Sequence, residues 1–193
     1  MEEVSFYFTI GWQHILSFAA LDHLLFLIAL IALYTVREWK QVLLLITAFT
    51  IGHSITLVLS SLAWIQFSTK WVEFLIPCTI IFTALFNVTQ KNKSISSFRL
   101  NYFFALGFGL IHGMGFANSI RFMIVGNQNL GLGLLGFNLG VELGQVLVVA
   151  FILLIASISF TVFKIKRPTW ILALSILTGI QALNLAIQRF PFF

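Results

Sequence analysis

The chain has 193 residues, of which 60% are hydrophobic and 9% charged, with a formal net charge of +5 and a mean hydropathy of +1.02. Soluble domains carry roughly 25% charged residues, so this composition excludes a water-covered globule and requires a lipid bilayer as solvent. The single cysteine, Cys78, excludes an intrachain disulfide and any paired-cysteine metal or redox site.

A membrane-spanning helix needs about 20 apolar residues at 1.5 Å rise each. Six segments meet that requirement, at about 9–35, 41–65, 71–89, 100–121, 131–162 and 168–189. The first follows "MEEVSFYF", which carries two acids and no base. A cleavable leader needs a positive start, so this segment is expected to be retained. It contains His14, Asp22 and His23. The second contains a polar stripe of Thr47, Thr50 and His53, with Ser54 beside it, and the third has Glu73 just inside Trp71. The fourth places His112 among Gly107, Gly109, Gly113 and Gly115. Gly109 and Gly113 form a GxxxG pair, which admits a neighbouring backbone, and the glycines around His112 could also loosen the helix. In the fifth, Asn138, Glu142 and Gln145 recur at i, i+4 and i+7, on one helical face. The sixth carries no comparable group, and "FTIGHS" and "FGLIHGMGF" echo each other only weakly.

The basic residues report topology. With the N-terminus outside, Arg37, Lys40, Lys91, Lys93, Arg99, Lys164, Lys166 and Arg167 fall on the cytoplasmic side. Only Lys70, Arg121 and Arg189 fall outside. That asymmetry satisfies the positive-inside rule, and it scatters the positive charge over short loops, which argues against a nucleic-acid partner. The expected architecture is an all-α, single-domain polytopic bundle of six transmembrane helices with both termini outside, in the bacterial inner (cytoplasmic) membrane. The five tryptophans sit at span ends as interface anchors. A homo-oligomer is left open.

All four histidines lie in hydrophobic segments. Counted along ideal helices, Asp22 with His23, His53, His112 and Glu142 each lie about 16–20 Å deep. An intramembrane ionisable group costs about 2.5–3.5 kcal/mol on insertion scales and normally faces a partner. A shared cation relieves several such costs together, so Asp22, His23, His53, His112 and Glu142 are the expected metal ligands. Ser54, Asn138 and Gln145 are the expected supporting polar groups. His14 stands nine residues before His23, about 180° away on an unbroken helix. It is therefore paired with Glu73 in a separate outer station. Imidazole and carboxylate without convergent sulfur suit Ni²⁺, Co²⁺ or Zn²⁺ rather than Cu⁺.

These residues resemble the HupE/UreJ family of small membrane proteins. The matching stretches are "GWQHILSFAALDHLLFLIAL", "TAFTIGHSITL", "WVEFLIPCTIIFTALFN", "FGLIHGMGFA" and "GFNLGVELGQ". The seven residues "ILSFAAL" between His14 and Asp22 resemble the family's second branch. The resemblance implies a nickel or cobalt permease. It carries the family's His and Asp-His signature to His14, Asp22 and His23, its His-Ser pair to His53 and Ser54, its His-Gly to His112 and Gly113, and its Gly-Val-Glu to Glu142.

The leading expectation is a divalent-metal permease in which the glycine-rich fourth span moves against the first. An intramembrane zinc hydrolase is the alternative, acting on a lipid or lipid-borne substrate. In it Glu142 would be the base, and Ser54 or Asn138 would steady an oxyanion. A third reading is a structural or assembly subunit whose polar core holds helices together.

Overall fold

The computed structural model describes residues 2–17, 20–91, 98–124 and 130–192, with backbone only for 117–124 and 130. Lys93, the loop at 125–129 and the side chain of Arg121, all used in the topology count, lie outside what is described. The described residues form seven α-helices and no strand. They are α1 (Glu2–Leu16), α2 (Leu21–Ile31), α3 (Trp39–Ser61), α4 (Thr69–Gln90), α5 (Phe98–Ile124), α6 (Leu130–Thr161) and α7 (Arg167–Gln188).

The expected first span is not one helix. It breaks between Leu16 and Leu21, inside "ILSFAAL", and its halves meet at a bend of 69°. No proline or glycine forces the break. A polar group sustains it instead: Asp22 Oδ1 accepts the His23 backbone N–H at 2.9 Å, satisfying one of the donors left open at the start of α2. A carboxylate there also meets the positive end of the α2 dipole. At the far end of α2, Glu38 accepts the Thr35 N–H at 2.7 Å and opens the turn into α3.

Four helical stretches among the described residues are long and apolar enough to cross a membrane: Val36–Ser61, Thr69–Gln90, Gly131–Thr161 and Arg167–Gln188. The bent α1–α2 pair makes a fifth if it counts as one span. The expected fourth span falls within α5, a 27-residue helix that does not join this set. Apolar side chains such as Leu85, Phe103, Phe151 and Ile180 point outward, as lipid contact requires. The protein is an integral membrane protein built of helices.

In lipid, helix association relies on close packing more than on apolar burial, and glycines supply it here. A Cβ at Gly109 would land on the Phe49 carbonyl, one at Gly52 on the Leu106 carbonyl, and one at Gly113 on the His53 carbonyl. These contacts clamp α5 to α3. Gly11 against the Phe137 carbonyl and Gly140 against the Phe8 carbonyl clamp α1 to α6 in the same way. The α4 and α7 helices form a third close pair. Asn87 ties α4 to α2 by donating to the Ala29 carbonyl at 2.6 Å.

Candidate metal centre

The histidines converge. His23, from the first turn of α2, stands in the middle, and its ring centre is 4.8 Å from that of His14 on α1. It is 5.1 Å from His112 on α5 and 6.1 Å from His53 on α3. Two imidazoles on one metal at about 2.1 Å have ring centres roughly 5 Å apart, so the spacing is that of rings able to share an ion. As they stand, no three His, Cys, Asp or Glu side chains among the described residues are arranged to hold one.

The place of His14 differs from the expectation drawn from an unbroken helix. The bend between α1 and α2 cancels the 180° offset and turns His14 onto His23. Glu73 also joins this region rather than a separate one. A cavity of about 500 Å³ is lined by His14, Asp22, His23, Glu73, His112 and Arg189, among others.

Hydrogen bonds orient two of the rings. Asp22 Oδ1 lies 3.0 Å from His23 Nδ1. An ionised carboxylate only accepts, so Nδ1 carries a proton, and in the neutral imidazole the lone pair is then on Nε2. On α4, the Thr79 hydroxyl donates to the Ile76 carbonyl at 2.7 Å and lies 3.1 Å from His112 Nε2. The one hydroxyl proton is already committed, so His112 Nε2–H is the donor and Nδ1 keeps the lone pair. Metal-binding histidines are commonly held in this manner, one ring nitrogen fixed by a neighbour and the other free to ligate. Among the described residues His23 Nε2, His112 Nδ1 and His14 Nε2 have no hydrogen-bond partner, and Asn138 is the polar side chain that approaches His53.

Aromatic rings close the inner side. Phe26 and Phe49 lie 5.1 and 5.2 Å from His112, Phe116 lies 4.2 Å from His14, and Phe137 stacks on His53 at 6.3 Å. His53 is fully buried behind this wall and does not line the cavity.

Glu142 belongs elsewhere. It accepts from the Thr47 hydroxyl at 2.9 Å and lines a groove of about 310 Å³ between α3 and α6 with Thr50, Ser54 and Asn138. Gln145 is tied there too, accepting from Thr50 at 2.9 Å. Asn138 approaches His53 from this side. One-residue steps on a helix differ by 100°, so α6 turns Phe137 and Val141 into the core while Asn138 and Glu142 face α3. The structure therefore gathers Asp22, His23, His53, His112 and His14, keeps Asn138 beside His53, and sets Glu142, Ser54 and Gln145 apart.

Two contributors escaped the sequence analysis. Arg189, counted there as an outer loop charge, donates through Nη1 to Asp22 Oδ2 at 2.9 Å. Thr79 is the other, and its signal was only a hydroxyl in the middle of the third span.

A helical membrane bundle with an imidazole-rich cavity between its helices is the class of protein that these features define. The chain belongs to the HupE / UreJ protein family, whose profile matches residues 1–189. No curated protein and no solved structure matches it.

Proposed function

We propose that this chain is a divalent transition-metal permease, with Ni²⁺, Co²⁺ or Zn²⁺ as cargo, crossing the bacterial inner membrane six times with both termini outside. Membership of a family associated with nickel and cobalt transport supports the reading. So does the one observation that carries it: among the described residues, buried ring nitrogens of His14, His23 and His112 lack a hydrogen-bond partner, and the three rings cluster around His23. An unpaired buried polar group costs about 1–3 kcal/mol, and a bound cation would relieve that cost for several neighbouring imidazoles together.

In this reading His23 Nε2 and His112 Nδ1 bind the cation, His14 adds a third nitrogen, and Asp22 supplies negative charge. His53, behind the aromatic wall, backs the site on its closed side. The positive-inside asymmetry puts Glu73 and Arg189, and with them the mouth of the cavity, at the outer face. Glu142 supplies no ligand. The hydrolase alternative needs Glu142 beside a metal-bound water, and its bond to Thr47 in the other groove argues against that.

The test is uptake of Ni²⁺, Co²⁺ and Zn²⁺ by proteoliposomes, with equilibrium binding of each metal to purified protein. Asp22→Asn and His23→Ala should abolish both. Unchanged binding and flux in the two variants would overturn the assignment.

A further inference from the structure

The ion pair between Arg189 and Asp22 joins residues 167 positions apart in the chain. It sits inside the metal cavity, with the Asp22 side chain 10% exposed and that of Arg189 26% exposed. The carboxylate the site would offer to a cation is thus already occupied on one oxygen by a guanidinium, and on the other by His23. Arginine cannot lose its charge in a protein, so it can leave Asp22 only by moving. A second carboxylate stands ready on the same wall. Glu73 is exposed, lines the cavity, and has no ion pair among the described residues.

We propose that Arg189 is a tethered competitor for the metal: it neutralises Asp22 until a divalent cation arrives, then yields that carboxylate and transfers to Glu73. This inference rests on the permease reading and deepens it by naming what sets the site's selectivity. A monovalent cation offers Asp22 no more charge than the guanidinium does and gains little from imidazole. A divalent transition metal brings twice the charge and bonds to His23 Nε2 and His112 Nδ1. Only that class of ion outcompetes the arginine. Glu73 receives the displaced guanidinium, and because Glu73 is exposed that pair contributes a modest gain, as surface ion pairs do.

The two partners should therefore act with opposite sign. Ni²⁺ binding to the purified full chain in detergent should tighten about tenfold in Arg189→Gln, the equivalent of about 1.4 kcal/mol. Glu73→Gln removes the alternative resting place and should weaken binding, while having no effect in an Arg189→Gln background. Sodium should compete with Ni²⁺ in Arg189→Gln and not in the natural protein. Arg189→Lys keeps the charge and should stay close to the natural affinity, which gives a readable variant should Arg189→Gln fold poorly.

Weaker or equal Ni²⁺ binding in Arg189→Gln, with Asp22→Asn still abolishing it, overturns the competitor role and leaves the permease reading standing. The same direction of change in Glu73→Gln and Arg189→Gln also overturns it. Unchanged Ni²⁺ binding in Asp22→Asn and His23→Ala removes the permease reading and this inference together.

Discussion

The protein contains two polar clefts that a count of residues along each helix places at one depth, and they differ in nearly every chemical respect. The cavity around His23 presents nitrogen lone pairs without partners and an aspartate held by an arginine. The groove around Glu142 presents carboxylate, amide and hydroxyl groups, bonded across it from Thr47 to Glu142 and from Thr50 to Gln145, while Asn138 Oδ1 and Gln145 Nε2 have no partner among the described residues. The first gathers imidazoles from three helices around an ion pair. The second is a polar seam joining α3 to α6. Equal depth counted along separate helices is therefore weak evidence of a common site, because it does not say which groups face one another.

Substitutions can break this contrast. The largest difference is expected between His23→Ala, which should weaken Ni²⁺ binding by about 100-fold or more, and Glu142→Gln, which should change it by less than about twofold. A similar loss in both would merge the two clefts into one site. Next in size is Gly109→Ala, whose added carbon meets the Phe49 backbone. It should cost about 1–3 kcal/mol and lower the thermal unfolding midpoint in detergent. Gly107→Ala meets nothing within 4 Å and should leave that midpoint unchanged or raise it, by up to about 1 kcal/mol of stability. Thr79→Val frees the His112 tautomer and should reduce Ni²⁺ affinity by about tenfold. Thr47→Val, its counterpart in the other cleft, should not alter binding. The smallest effect is the stability cost of Thr47→Val, about 0.6 kcal/mol, the average for a hydrogen bond between membrane helices. Denaturant titration of the two threonine variants would show whether the seam is worth more than that.

The position of each polar group along its own helix was legible in the sequence because helical rise is constant, and it singled out Asp22, His23, His53 and His112. For Asp22 and His23 the count ran through the break between Leu16 and Leu21, so their counted depth does not hold for the bent chain. Azimuth was less legible. It depends on helix continuity, and "ILSFAAL" carries no residue that advertises a break. His14 was consequently assigned away from His23, although the bend brings their rings into contact. Glu142 was grouped with the histidines because depth could not show which side of α6 it faces. Arg189 lay hidden for a different reason. A cation just beyond the last helix counts as an interface anchor by composition, and only the packing of α7 against α2 shows that it reaches inward to Asp22.

The glycine clamps have a consequence for motion. With backbone lodged against backbone, α1 with α6 and α3 with α5 each form a tightly packed pair, and three of the four histidines are divided between them, with His23 on α2. His14 rides on one pair, and His53 and His112 ride on the other. In the proposed permease, a pivot of one pair against the other would widen the gap between His14 and the rings of His53 and His112, so an ion could be released without any side chain rotating on its own.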